Sequence, residues 1–108
     1  MKRIRLQEFP EDVIPRGSLL RVQGAYPYEK SVDFMLFDSN DQESPTGLMV
    51  TTGYKAGLTL VLLPKEAAPF PGALSKAWLV KNWDFWVYPE CQLSNVLLIF
   101  GYDADGAI

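Results

Sequence analysis

The chain is expected to fold around Ser75–Pro89, SKAWLVKNWDFWVYP, which holds all three tryptophans of the 108 residues. Ser75 is a good helix N-cap, because its hydroxyl can accept a hydrogen bond from a free amide in the first turn. Pro89 lacks an amide hydrogen and disfavours helical backbone at the residue before it. The segment has the clearest helical period of the chain, so we predict a helix over about Ser75–Tyr88.

Apolar side chains cover more than one face of this predicted helix. At roughly 100° per residue, five of them fall within an arc about 120° wide, which we predict to be the core face: Leu79, Val80, Trp83, Trp86 and Val87. Leu79, Trp83 and Trp86 are therefore the expected structural core. Trp78 and Phe85 lie outside the arc, where a loop, a strand or another protein must cover them. Trp78 is then either a covered edge of the core or an exposed contact.

Size and composition predict one domain over residues 1–108. A chain of this length with 48% apolar residues buries roughly 60–70% of its unfolded surface, enough for one core. The single cysteine, Cys91, cannot form an internal disulfide, which fits a reducing compartment. We find no signal peptide and no apolar run near the roughly 20 residues of a membrane helix, so a cytoplasmic protein without a membrane partner is expected.

The net charge of −3 is unevenly distributed. Residues 31–50 and 82–108 each hold four acidic side chains and no lysine or arginine. Nucleic acid is not an expected partner, because its phosphates require a continuous basic surface. A basic protein partner is compatible with these acids, since complementary patches speed encounter and fix orientation. The alternative is that the acids are solvated loops that keep the protein soluble.

Strand signals flank the helix on both sides. The predicted strands are Ser18–Gln23, Val32–Phe37, Gly47–Thr52, Leu58–Leu63 and Val96–Phe100. Leu58–Leu63 is apolar on both faces and is expected to be a central strand. Gly53 and Gly57 predict a hairpin with Tyr54 and Lys55 at its tip. The loop 24–30 carries Tyr26 and Tyr28, which either contact a partner or fix the loop to the body.

Short connections between the first four strands favour an antiparallel meander. We therefore predict an α+β fold, an antiparallel β-sheet of about five strands with one Trp-rich α-helix packed on one face. The alternate strand positions form the opposite face, which a single helix cannot cover: Met35, Phe37, Met49, Val61, Leu97 and Ile99. Either the sheet curls and the N-terminal segment shields this face, or a partner does.

The residue inventory argues against catalysis. The chain has no histidine, which removes histidine-based triads and the usual proton carrier near neutral pH. Zinc sites need more cysteine or histidine than the chain contains, and no phosphate-binding glycine motif is present. The acidic segment around Asp38, Asp41 and Glu43 lacks the spacing of a calcium loop. We expect no enzyme activity, no metal and no cofactor, and an inert Cys91 beside Glu90.

Several short motifs follow one another along residues 14–91. They are IPRGS at Ile14–Ser18, YPYE at Tyr26–Glu29, VDFML at Val32–Leu36, GLMVTTGYKAGL at Gly47–Leu58, LPKEA at Leu63–Ala67, and WxxxxW with YPEC within Trp78–Cys91. As an ordered series they resemble the immunity protein 45 family of bacterial polymorphic toxin systems. The resemblance implies a small cytoplasmic protein of bacterial competition, encoded beside a toxin, that binds the toxin's C-terminal domain and neutralises it. It does not identify the toxin.

Inhibition by occlusion needs a rigid scaffold, aromatic anchors and complementary charge, but no catalytic group. Many toxin domains are nucleases with basic clefts, which acidic side chains can occupy in place of phosphates. Our hypothesis is that one set of residues supplies charge and another supplies contact area. The charged set is Asp38, Asp41, Glu43 and Asp84, and the contact set is Trp78, Tyr54 and Tyr26.

Two alternative functions follow from the same residues. A ligand-binding or regulatory module would use the Trp78 and Phe85 strip as one wall of an apolar pocket. A structural homodimer would bury that strip between two copies, so that both a monomer and a homodimer stay open.

Overall fold

A computed structural model of the chain describes residues 3–102. Its strands are β1 Arg3–Arg5, β2 Val13–Ile14, β3 Leu19–Gln23, β4 Ser31–Asp38, β5 Thr46–Val50, β6 Thr59–Leu62, β7 Leu74–Ser75 and β8 Leu97–Ile99. Helix α1 spans Lys76–Asn82 and continues as a π-helical turn, Trp83–Val87. Three 3₁₀ turns complete the elements, at Leu6–Glu8, Lys65–Ala67 and Leu93–Asn95. The acidic tail 103–108 lies outside the described residues.

Six strands form the main antiparallel sheet in the order β1-β8-β3-β4-β5-β6. Strands β3 to β6 make the predicted meander, and β8 returns to pair with β3 on its other side. The helix packs on one face, so the predicted α+β class is confirmed. The sequence missed β1, because its three residues include only one apolar side chain, too few for a strand pattern.

The prediction that Leu58–Leu63 is a central strand is wrong. The observed strand β6 is an edge of the sheet, and Leu58 and Leu62 are 57% and 41% exposed. An apolar run indicates that both faces of a strand have neighbours, but it does not tell where the strand lies in the sheet. Here the sheet extends on the β3 side, through β8 and β1, and not beyond β6.

A β-bulge corrects the predicted face of Val61. The β5–β6 register pairs Leu48 with Val61 but Met49 with Thr59, so Leu60 is an extra residue in β6. The extra residue shifts the alternation by one position, and both Leu60 and Val61 pack against the core. Val61 therefore does not belong to the opposite face of the sheet.

The helix begins where the sequence predicts. The Ser75 hydroxyl accepts a hydrogen bond from the Trp78 amide at 3.2 Å, and Asp12 adds a second cap by accepting from the Ala77 amide at 2.8 Å. Asp12 belongs to the N-terminal segment, whose strand β2 pairs with β7 just before the helix. This pairing fixes the helix start to the first part of the chain.

The predicted core arc of the helix is only partly correct. Leu79 and Trp83 are buried and Val87 nearly so, but Val80 is 38% exposed and Trp86 is half-buried. Val80 lies at the margin of the arc, about 100° from Leu79. Past Asn82 the backbone is π-helical, with the Tyr88 amide donating to the Trp83 carbonyl, so the α-helical period no longer applies.

The N-terminal segment closes the core on the helix side. Leu6, Phe9 and Ile14 belong to the main hydrophobic cluster together with Leu79 and Trp83. These three side chains therefore cover the helix side and not the opposite face of the sheet. On that face Leu19 and Ile99 are fully buried, whereas Met35, Phe37 and Met49 stay half-buried.

Candidate protein-binding surface

Two connections with exposed tyrosines lie at the same end of the sheet. Residues 24–30 join β3 to β4, and residues 51–58 join β5 to β6. Because β4 and β5 are antiparallel, both connections extend from the end at which β4 begins. Tyr26 is 98% exposed and Tyr54 is 79% exposed. We name residues 24–30 and 53–57 the tyrosine platform.

The first turn of the platform is fixed by backbone hydrogen bonds. The Gly24 amide donates to the Lys30 carbonyl at 2.9 Å, and the Tyr28 amide donates to the Ala25 carbonyl at 2.8 Å. The Ala25 amide donates to the hydroxyl of Tyr88, at the end of the helix, also at 2.9 Å. The turn is therefore tied to the helix as well as to its own strands.

Aromatic contacts root the same turn in the core. The rings of Tyr28, Phe34 and Tyr88 meet edge to face, with centroids 5.6 to 6.3 Å apart. Such pairs add stability beyond the buried area. Of the two tyrosines that the sequence left undecided, Tyr28 holds the loop to the body. Tyr26 projects into solvent, and its backbone belongs to the turn that Tyr28 holds in place.

Side-chain contacts join the two turns into one surface. The Lys55 ammonium lies 5.6 Å from the ring centre of Tyr28 and 5.4 Å from that of Tyr54, within cation–π range. The Glu29 carboxylate packs against Gly53, in the space that a Cβ would occupy. Gly53 has φ +73°, which favours glycine. Both exposed tyrosines therefore stand on a common, ordered base.

Phe85, which the sequence placed outside the predicted core arc, stays uncovered within residues 3–102. Its side chain is 90% exposed on the π-helical turn, and the Phe85 ring contacts Trp86 at 6.5 Å between centroids. The sequence signal for this exposure was the position of Phe85 outside the predicted core arc. Trp78 packs on Trp86 at 5.9 Å and is half-buried, so it is a partly covered core edge. Asp84, in the same π-helical turn, is exposed.

The predicted acidic residues of the β4–β5 connection lie at the opposite end of the sheet from the platform. Asp38 accepts from the Asn40 amide at 2.8 Å. Asp41 accepts from the amides of Glu43 and Ser44 at 2.8 and 3.1 Å. These two carboxylates hold the loop in shape. Strand β4 has eight residues, about 26 Å, so the structure does not bring the acids together with Tyr26 and Tyr54.

A polar cluster around the buried Asp33 occupies the opposite face of the sheet. Arg21 donates from Nε and Nη2 to the two carboxylate oxygens of Asp33, at 2.7 and 3.0 Å. The Tyr102 hydroxyl donates to Asp33 at 2.7 Å and lies 2.9 Å from the Thr51 hydroxyl. Asp33 is 1% exposed. The sequence signal was available, because Arg21 and Asp33 are direct cross-strand partners at alternate positions.

The hydrogen bonds of this cluster set its protonation. Burial by itself raises the pKa of Asp33, but the bonds from Arg21 and Tyr102 outweigh it and leave the pKa below its ordinary value. The bond to Asp33 raises the pKa of Arg21. Burial raises the pKa of Tyr102, against a lowering effect of the bond with Thr51. The cluster is a charged, fully paired network with a structural role.

Two further classes of site are not found in the described part of the chain. Residues 3–102 contain no group of three or more side chains placed to hold a metal ion. None of the helices in that range is long and apolar enough to cross a membrane.

A comparison with known protein families identifies the family of this chain. The model of one family, immunity protein 45, matches residues 6–98 of the 108-residue chain. Neither a curated protein nor a solved structure shows significant similarity to the chain. The match includes the platform, the helix and all strands of the main sheet except β1 and the last residue of β8. The ordered motifs had indicated the same family, and the chain belongs to the immunity protein 45 family.

Proposed function

We propose that this immunity protein binds the C-terminal domain of a cognate toxin and neutralises it by occlusion, with the tyrosine platform as its principal contact. The observation that supports this proposal best is the high exposure of Tyr26 and Tyr54 on a base fixed by Tyr28, Lys55 and Tyr88. Exposed aromatic side chains on a rigid base contribute strongly to protein interfaces, because little conformational entropy is lost on binding.

The acidic end of the sheet supplies charge in this proposal. Asp38, Asp41 and Glu43 lie in one exposed loop, and Asp84 is exposed on the helix side. A toxin with a basic cleft, such as a nuclease, would be attracted by this charge before the aromatic contacts form. The protein itself takes no part in turnover and uses no cofactor. It acts inside the producing cell, where the toxin must be blocked.

The test first searches next to this gene for an open reading frame that encodes a toxin-like protein, and uses the C-terminal domain of that protein with an inactivating substitution. Calorimetry compares the wild-type protein with Tyr26→Ala and Tyr54→Ala. Each variant should raise the Kd by roughly thirtyfold, the loss of a strong interface anchor of about 2 kcal/mol. When each protein is co-expressed with active toxin, the protection of the cells should follow the same order as the affinities.

Phe70→Ala is the matched control, because Phe70 is another exposed aromatic, at 53%, beside the acidic loop at the far end of the sheet. It should bind like the wild type. Full affinity in the Tyr26→Ala, Tyr54→Ala double variant would refute the platform as the contact. A wild-type protein that neither binds the adjacent toxin domain nor protects cells from it would refute the function itself.

A further inference from the structure

Strand β6 has an open hydrogen-bonding edge. It pairs with β5 on one side and is the last strand of the sheet. At its two ends Leu58 accepts from the Val50 amide and Leu63 donates to the Thr46 carbonyl, both toward β5. Within residues 3–102, the backbone of 59–62 has no hydrogen-bond partner beyond this ladder. The outward amide and carbonyl groups can therefore accept another strand.

The side chains of this edge include none of the charges or prolines that discourage strand addition, although the strand itself is short and contains a bulge. Residues 58–62, LTLVL, contain no charge, proline or glycine. The other edge of the sheet is β1, Arg3–Arg5, where two exposed arginines flank a single isoleucine. Edge charges of this kind prevent pairing with other chains. The bulge beside Leu60 bends β6 but supplies no partner to its outer side.

Apolar side chains continue from this edge onto the sheet. Leu62 and Phe37 lie over Gly47, where an added Cβ would meet their side chains at 2.8 and 2.6 Å. Met49 is half-buried on the neighbouring strand. An added strand with apolar residues at alternate positions would extend this surface, because one row of its side chains would contact Leu62.

We propose that β6 binds an extended, apolar strand of the toxin domain, which adds to the sheet as a seventh strand. This inference rests on the proposed function and names how the same partner is held. The turn that carries Tyr54 and Lys55 leads directly into β6, so one partner can contact the platform and continue along the edge. Backbone hydrogen bonds then add to the aromatic contacts.

A second copy of this chain fits the edge less well. Pairing along four residues, about 13 Å of strand, buries less surface than the roughly 1,200 Å² that stable association needs. The occupant of the edge therefore requires further contacts, and a toxin domain on the platform would have them.

The experiment combines charged edge variants with amide hydrogen exchange, using the inactivated toxin domain as the probe. The Thr59→Lys, Leu62→Lys double variant places charge on the edge, while the lysine stem can still cover Gly47. It should raise the Kd by about tenfold or more, the loss expected for two or more backbone hydrogen bonds. Gln92→Lys, the same chemical change at an exposed residue outside the sheet, should bind within about twofold of wild type.

In the wild-type complex, amide exchange across residues 58–63 should slow, because the outward amides gain partners. If the double variant does not fold, this exchange result decides the proposal alone. Toxin binding with unchanged exchange at 58–63 would overturn the inference and leave the proposed function standing. A concentration-dependent dimer with slow exchange at 58–63 and no toxin would overturn it in favour of a second copy. Absence of any toxin binding would remove both proposals.

Discussion

Trp83 is the residue that ties the helix to the chain that follows it. Its ring is buried in the main cluster, and its indole Nε1 donates to the Cys91 carbonyl at 2.8 Å. Cys91 is itself buried. One side chain thus provides apolar contact to the sheet and satisfies a buried carbonyl in the loop before β8.

We predict that Trp83→Ala lowers the free energy of unfolding by about 3–5 kcal/mol, since it leaves a large cavity. Trp83→Phe should cost less, because it keeps most of the apolar volume and loses mainly the bond to Cys91. Urea denaturation measures both. Phe85→Ala, at an exposed aromatic of the same turn, should stay within about 0.5 kcal/mol of wild type. A loss below about 1 kcal/mol in Trp83→Ala would contradict the core assignment.

The buried carboxylate of Asp33 makes the free energy of unfolding depend on pH in the acidic pH range. Its pKa is lowered in the folded state, so the stabilising contribution is complete above the unfolded value of about 3.9. The contribution disappears as pH falls through the lower folded pKa, because protonation then removes the ion pair with Arg21.

We predict that the unfolding free energy of the wild type falls steeply between about pH 5 and pH 2, and that Asp33→Asn falls less over that range. Tyr102→Phe, which removes one of the bonds to Asp33, should show an intermediate slope. Chemical denaturation at a series of pH values measures this. Parallel curves for wild type and Asp33→Asn would exclude Asp33 as the source of the dependence.

At the scale of elements, the turn between β5 and β6 links the platform to the sheet. Gly53 and Gly57 both have positive φ, at +73° and +94°. Only Gly53 touches a neighbour, because its missing Cβ leaves space for the Glu29 carboxylate, whereas nothing lies within 4 Å of the same position at Gly57. Substitution of Gly57 therefore tests backbone strain alone, whereas substitution of Gly53 tests backbone strain together with the contact between the two turns.

We predict that Gly57→Ala lowers the free energy of unfolding by about 1–2 kcal/mol, which is the cost of a left-handed backbone conformation for alanine. Gly53→Ala should cost more and should also weaken toxin binding, because it displaces Glu29 and separates the turns. Thermal denaturation and calorimetry measure the two effects. Equal losses in both variants would show that the contact between Glu29 and Gly53 is unimportant.

At the scale of the whole molecule, aromatic and acidic surfaces occupy opposite ends of the sheet. The described residues span 35 × 32 × 28 Å, so one toxin domain of ordinary size reaches both ends only by lying along the molecule. Strand β6 runs between the two ends and offers such a path. The proposed function therefore gives the two surfaces separate roles, with contact at the platform and steering by the distant acids.

We predict that Asp38→Asn, Asp41→Asn, Glu43→Gln and Asp84→Asn together slow toxin association at low salt and change dissociation little. Asparagine keeps the acceptor oxygen that the Asn40, Glu43 and Ser44 amides need, so the loop should stay intact. Stopped-flow kinetics at low and high salt measure the effect, which should disappear at about 1 M salt. Identical association rates at low salt would eliminate these acids as steering groups.

Local patterns in the sequence determined the class of fold. The Ser75 cap, the tryptophan-bearing helix, the β3 to β5 alternation and the Gly53 to Gly57 turn were all predicted, because each depends on neighbours within a few residues. The absence of histidine and the ordered motifs pointed away from catalysis and toward an immunity protein. The partner-binding residues stay predictions, since their role depends on a second molecule.

The folded structure was needed to establish which surfaces are open. It placed β6 at an edge, added β1, buried Asp33 under Tyr102, and fixed Tyr28 inward while leaving Tyr26 exposed. Each of these outcomes depends on residues far apart in the chain, such as the Ala25 bond to Tyr88. Periodicity reports which side of a segment is apolar, but strand order and the cover over each face arise from long-range pairing that local sequence does not encode.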